Sequence, residues 1–428
     1  MKIITTPASE DWKELTTRPR MDQKELANLV HSIFEAVERD QDQALISYAR
    51  QFDGLILEDL TVSRQEIEAA HAIVPDELKK AIATARANIE KFHQTQQLDE
   101  STTETSTGVQ CWQKMLPIEK VGLYIPGGTA SLFSTVLLLG IPAVLAECPE
   151  IVLCTPPDEL GEINPAILYA ADLLGIHQIY KVGGAQAIAA MAIGTPTVPA
   201  VHKIFGPGNQ YVDMGKTMAQ QMGVAVDMPA GPSEVLIVTD KTSNPVFVAA
   251  DLLAQAEHGS DSQVFLVGND RGILEEILRE VSYQLEHLPR HTIATQSLAN
   301  SLAVHFDSIE ECFAFSNTYA PQHLIVASEY ADEYIKYIKN AGAVYLGNYT
   351  AQSAADYLSG SNSILPTAGF THTYSGLGLS SFQRSVTFQR IDKNGLQNLG
   401  KTAEILAAAE GLQGHKNAVS VRLKNLQK

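Results

Sequence analysis

No stretch of this sequence is apolar for long enough to cross a bilayer. The longest run, residues 135–146, is interrupted by Pro142, and a spanning helix needs about 20 such residues. The opening residues, MKIITTPASEDW, lack the apolar segment of a secretory signal. A cytoplasmic protein without membrane contact is expected. Cysteine is also scarce. Cys111, Cys148, Cys154 and Cys312 show no CxxC spacing, which fits reduced thiols in a large chain. None has a histidine beside it in the sequence, and a reactive thiol needs an activating neighbour. Positive charge is in deficit: 31 Lys and Arg face 49 Asp and Glu, for a net charge of −18. That balance argues against nucleic acid and anionic membrane surfaces as partners, and leaves a small-molecule pocket open. Also missing are GxGxxG, the usual dinucleotide fingerprint, and HExxH, the helix of many zinc hydrolases.

What remains is an ordinary globular composition, 45% hydrophobic and 19% charged over 428 residues, enough for two or more domains. One helix has both ends written into it. In NPVFVAADLLAQAEHG, residues 244–259, Asn244 can N-cap and Pro245 fits the first helical position. Gly259 suits a left-handed stop. Gln255 and His258 lie three apart and share a face, with Asp251 one turn earlier. An amide oxygen and an imidazole aimed together make half of a metal site, although such a pair is more often just a polar face.

Residues 1–20 read as a short arm. A helical region follows, from Met21 to about Gln97. Leu26, Val30, Ile33, Phe34 and Val37 form one apolar stripe. Ser63 with Glu66 makes a capping box, and Pro75-Asp76 opens the next helix. Residues 100–107 read as a loop. From Lys120 short apolar strands alternate with helices, which implies βαβ units and a mostly parallel sheet. The alternation resumes after EVLIVTD as a second α/β layer, with a helix expected over residues 328–342. A long polar stretch begins near Asp356. The tail is helical, broken at Gly414-His415, with Asn417 able to cap the last helix.

Three loops share one design. Pro126-Gly127-Gly128, Gly183-Gly184-Ala185-Gln186 and Gly206-Pro207-Gly208-Asn209 each follow a strand and precede a helix. That edge of an open α/β sheet is where ligands bind, and small residues let backbone N–H groups come close. Each loop alone fits a tight turn; three together favour a nucleotide-sized ligand, which the pattern leaves unnamed.

The segments VGLYIPGGTASLFST, GPGN, AGPSEV, DLLAQAEHGSDSQ, ADYLSGSNSILPT and GHKNAVS, in this order, closely resemble the histidinol dehydrogenase family over nearly the whole chain. The resemblance implies NAD-dependent, four-electron oxidation of L-histidinol to L-histidine through L-histidinaldehyde, the last steps of histidine biosynthesis. It implies one zinc per subunit on Gln255, His258, Asp356 and His415, with His415 donated by the partner of an intertwined homodimer. Ser233, Glu410 and His323 match substrate contacts, and the metal ligands border the same substrate. Tyr124, Gln186 and Asn209 match NAD contacts. His323 is the implied general base, since an imidazole near neutrality suits proton abstraction from an alcohol.

The implied architecture is α/β, two incomplete Rossmann-like parallel-sheet domains with a helical N-terminal region and a small helical tail. Residues 1–20 form the arm, 21–123 with 235–377 the zinc and substrate domain, 124–234 the NAD domain, and 378–428 the dimerising tail. Two positions depart from the family pattern. Gln322 stands beside His323 where the family has glutamate, and Gln352 replaces a glutamate upstream of Asp356. An amide cannot accept a proton as a carboxylate can, so the aldehyde-to-acid half of the reaction is expected to be slowed. Three alternatives compete: a related zinc and NAD dehydrogenase of another polar alcohol, a zinc hydrolase, and a zinc-binding homologue without catalysis.

Overall fold

The computed structural model of the chain describes residues 1–18, 22–127, 132–229 and 231–427. The expected helix start at Met21, Gly128 of the first glycine loop and Ala230 of AGPSEV lie outside the described residues. The strands are β1 (Lys2–Thr5), β2 (Thr102–Ser106), β3 (Val109–Pro117), β4 (Lys120–Tyr124), β5 (Glu150–Thr155), β6 (Gln178–Lys181) and β7 (Lys203–Phe205), followed by β8 (Ala225–Val226), β9 (Glu234–Thr239), β10 (Gln263–Gly268), β11 (Leu302–His305), β12 (His323–Ala327), β13 (Ala343–Leu346) and β14 (Gln383–Ile391). The chain divides into two compact units, residues 1–95 with 118–382, and residues 96–117 with 383–428.

The first unit carries two parallel sheets, as the alternating pattern requires. One runs β6-β5-β4-β7-β8, the other β1-β11-β10-β9-β12-β13. Strands covered on both faces read as continuous apolar runs. EVLIVT of β9 and QVFLVG of β10 are buried at every position. The expected arm is not a free end: Lys2–Thr5 pairs with Leu302–His305 as an edge strand, then Trp12 packs edge-on against Phe306 and Phe315.

The N-terminal helices form where the apolar spacing puts them. In Gln23–Asp40 the Asp22 carboxylate caps Lys24 N and Glu25 N, and Leu26, Val30, Ile33, Phe34 and Val37 are all buried. The Ser63–Glu66 capping box is made, and Asp76–Gln94 follows Pro75. Their packing differs from the expected grouping with residues 235–377. Val30, Ile33 and Val37 share a core with Ile188, Ala189 and Val212, while Ile67, Ile82 and Ile89 share one with Val136, Leu139 and Ile167. These helices therefore cover the five-stranded sheet. Their apolar stripes specify burial but not against which partner.

The second unit is a three-stranded antiparallel sheet, β14-β3-β2, with helices Lys393–Ala409 and Gln413–Leu426. The expected loop at 100–107 is thus mostly strand. Its threonines are β-branched and suit an exposed edge. The break in the tail also falls earlier than expected. Gly411 takes the left-handed conformation at φ 74°, the last helix starts at Gln413, and His415 sits in its first turn rather than in a gap. Asn417 is inside that helix, where its Oδ1 accepts from Gln413 Nε2 at 2.8 Å. The long helix expected over 328–342 shrinks to Ala331–Tyr334 and a 3-10 turn, Ile335–Tyr337. The Asn317 amide oxygen takes the N–H groups of Lys339 and Asn340, a side-chain alternative that competes with helix.

Candidate active site

The helix Pro245–Ala256 forms as its sequence suggests, with the Asn244 side chain accepting from Val246 N and Phe247 N. Gly259 is not its left-handed stop; the helix closes at Glu257 in an ordinary right-handed conformation. Its last turn brings Gln255, and the residues just past it bring His258, to the N-terminal edge of the six-stranded sheet. Ser233 precedes β9 there, and Gln322-His323 opens β12. Asp356 arrives on a short helix, Gln352–Tyr357, rather than on a loop. Tyr124 at the end of β4, and Gly127 and Asn209 in the loops after β4 and β7, come from the C-terminal edge of the other sheet. All these residues line one cavity of about 330 Å³.

Gln255 is 2% exposed, and its Oε1 has no hydrogen-bond partner among the described residues. A buried amide oxygen left unpaired is costly, so this atom suits a cation donor. Asp356 Oδ2 accepts from Gln352 Nε2 at 2.8 Å. Burial pushes the Asp356 carboxyl up, opposed by its bonds to Ser363 and Gln352 and by nearby His258. His323 is buried, with Nδ1 2.9 Å from the Tyr345 hydroxyl. Burial, helped by the charge of His258, pushes its imidazole down to about 3, which keeps it neutral. Gln322 is held by its amide oxygen, which accepts from Glu234 N at 3.0 Å. The group it can offer the cavity is therefore its NH₂ donor. Glu234 in turn pairs with Arg18 at 2.6 Å.

A second cavity of about 750 Å³ adjoins the first, since Tyr124, Gly127 and Asn209 line both. Gln186, Gly183 and Gly184 complete its wall. The Tyr124 hydroxyl accepts from Gly184 N at 3.0 Å, and burial pushes its pKa up to about 12. Asn209 caps the helix Gln210–Gln221. Gly206 cannot be another residue: at φ 138° an added Cβ would lie 2.2 Å from the Tyr124 carbonyl oxygen. Its N–H donates to Asp227, whose other oxygen holds Lys216 Nζ at 2.6 Å, an ion pair exposed by only 2% and 1%. This buried pair fixes the loop after β7.

Glu410 and His415 belong to the second unit, Glu410 closing the helix Lys393–Ala409 and His415 in the first turn of the next. Among the described residues no three His, Cys, Asp or Glu side chains converge as a metal site. The donors of the first unit are two of those types plus an amide, Gln255. Tyr345, the Lys216–Asp227 pair and Arg18–Glu234 carry no sequence signal of their role. Each acts through strand register or long-range packing.

The comparisons with known proteins agree with one another. The histidinol dehydrogenase family model matches residues 16–423. The chain belongs to the histidinol dehydrogenase family. It is 51% identical over 427 residues to the histidinol dehydrogenase of Bacteroides thetaiotaomicron, and 50% identical over 428 residues to that of Bacteroides fragilis, covering 100% of both chains in each case. The crystal structure of histidinol dehydrogenase from Elizabethkingia anophelis superposes with a TM-score of 0.97 at 54% identity, over 100% of this chain and 99% of that one. An acetylating aldehyde dehydrogenase from Geobacillus thermoglucosidasius, at 14% identity and TM-score 0.50 over 89% and 94%, shares the fold alone. Membership of the histidinol dehydrogenase family makes the chain an oxidoreductase of histidine biosynthesis. No helix among the described residues is long and apolar enough to cross a membrane.

Proposed function

We propose that this enzyme oxidises L-histidinol to L-histidine with two NAD, through L-histidinaldehyde, as a cytoplasmic homodimer. The observation that carries the reading is the buried His323, kept neutral, in one cavity with Gln255, His258 and Asp356, beside a glycine-lined cavity of about 750 Å³. Tyr124, Gln186 and Asn209 would contact NAD. Ser233 and, from the tail, Glu410 would contact the substrate.

The donor set suits zinc, and the orphaned Gln255 oxygen supports the fit. Gln255, His258 and Asp356 would hold the ion, with His415 of the tail, from the partner subunit, as the fourth ligand. When bound, zinc supplies a template that fixes the amino and imidazole nitrogens of the substrate. With Nδ1–H donating to Tyr345, His323 Nε2 keeps its lone pair for the substrate. It takes the proton of the alcohol oxygen as a hydride leaves the carbon that bears that oxygen for the nicotinamide. Hydration of the aldehyde and a second hydride transfer complete the reaction. Histidinol, two NAD⁺ and one water give histidine, two NADH and three protons.

Gln322 is the weak point of the second half. With its oxygen tied to Glu234 N, its NH₂ group cannot accept a proton from the attacking water. A general base contributes roughly 10²- to 10⁴-fold, so the second oxidation is slow relative to the first. A steady-state assay with histidinol, NAD and added Zn²⁺, scoring aldehyde and histidine separately, tests the reading. Turnover of histidinol with aldehyde accumulating supports it. No NADH from histidinol, with turnover of another polar alcohol, would overturn it.

A further inference from the structure

Resting on the reading that NAD occupies the 750 Å³ cavity, the structure also bears on which nicotinamide nucleotide fits. β4, the helix Phe133–Leu145 and β5 form a βαβ unit whose strands pair directly. In dinucleotide-binding sheets, an acidic residue past the second strand of this unit takes the ribose hydroxyls of the adenosine. Here β5 ends at Thr155, and Pro156-Pro157 lead to Asp158 and Glu159.

These two carboxylates do different things. Asp158 closes its own turn: its Oδ1 accepts from Leu160 N at 2.9 Å and from Glu162 N at 3.0 Å, and its N–H donates to the Glu162 carbonyl at 2.8 Å. Gly161, at φ 79°, allows the chain to turn back. Glu159 stands at the tip of this fixed turn, exposed, with no hydrogen bond or ion pair among the described residues, and it lines the cavity. Asp53 lines it too, from the end of the turn Ala49–Asp53. No Lys, Arg or His lines the cavity among the described residues.

We propose that Glu159 accepts the 2′-hydroxyl of the adenosine ribose, and that it and Asp53 thereby exclude NADP. A neutral hydroxyl donates to a carboxylate at no electrostatic penalty. A 2′-phosphate brings up to two negative charges against Asp53, Asp158 and Glu159 and finds no cation among the described lining residues. Like charges brought together in a partly closed cleft disfavour binding strongly.

Steady-state kinetics with histidinol should compare NAD, NADP and 2′-deoxy-NAD for the zinc-loaded full chain and for Glu159→Ala, Glu159→Gln and Asp53→Asn. The wild type is expected to favour NAD over NADP by about 10³-fold or more in kcat/KM. Removing the 2′-hydroxyl should raise its KM about tenfold with kcat little changed, the size of one charge-assisted hydrogen bond. In Glu159→Ala and Glu159→Gln the KM for NAD should rise similarly, the deoxy penalty should vanish, and the NAD preference should narrow at least tenfold. Asp53→Asn should narrow the preference while keeping the deoxy penalty. An unchanged deoxy penalty and nucleotide preference in both Glu159 variants would overturn the assignment. Absence of any NAD-dependent thermal shift in the wild type would instead overturn the dinucleotide reading beneath it.

Discussion

At the scale of single residues, the site is a set of side chains whose states are set by burial and by one partner each. His323 is neutral because it is buried and near His258, and Tyr345 fixes its ring. His323→Asn should lower kcat by roughly 10²- to 10⁴-fold with KM for histidinol little changed. A kcat within about threefold of wild type would remove His323 from the base position. Gln352 offers a test of Asp356 as the proposed metal ligand, since it holds one carboxylate oxygen, Oδ2, at 2.8 Å. Such outer partners typically govern about 10- to 100-fold in metal affinity. Competition with a chelator should show Gln352→Ala losing zinc at correspondingly lower chelator concentration, and equal retention would argue against Asp356 as a ligand. Much of this scale was legible early. Gln255, His258, Gln322, His323 and Asp356 were singled out in the sequence, and they line one cavity. Tyr345 was not, because its approach to His323 depends on β12 pairing with β13 in a register that no local pattern encodes.

At the scale of elements, local chemistry explains both what was legible and what was not. Helix starts are set by side chains a few residues away, so Ser63 and Asn244 mark them correctly. Helix ends are weaker signals: Gly259 and Gly414 suggested stops that the chain makes at Glu257 and Gly411 instead. The apparent helix at 328–342 stops short where Asn317, from the preceding helix Ile309–Tyr319, takes the N–H groups of Lys339 and Asn340. Asp251, on the helix that carries Gln255 and His258, gives a pH prediction. Burial pushes its carboxyl from 3.8 up to about 7. The folded chain therefore keeps a proton that the unfolded chain releases above pH 4, and stability falls as pH rises from about 4 to 7. Asp251→Asn removes that loss. Its melting temperature should exceed wild type by roughly 1–3 °C at pH 8 and match it near pH 4; the same gain at both pH values would contradict the assignment.

At the scale of the whole molecule, the first unit places two parallel sheets so that the C-terminal edge of one and the N-terminal edge of the other border a single cavity. The alternation of apolar runs announced parallel sheets, but not which helices cover which sheet, nor that Lys2–Thr5 completes one of them. Those depend on contacts far apart in sequence. The two cavities share Tyr124, Gly127 and Asn209, so on the proposed reading a hydride would have a short path between substrate and dinucleotide. On the proposed reading one substitution would separate two successive oxidations: His323 would serve the alcohol step, whereas Gln322, its oxygen tied to Glu234 N, would meet the water of the second. The most direct test is a single-turnover experiment on the zinc-loaded enzyme with limiting L-histidinol and excess NAD, following NADH. Two phases are expected, one NADH per histidinol quickly and a second slowly, with Gln322→Glu merging them. A single phase yielding two NADH in the wild type would contradict the account of Gln322, and no NADH at all would contradict the oxidation itself.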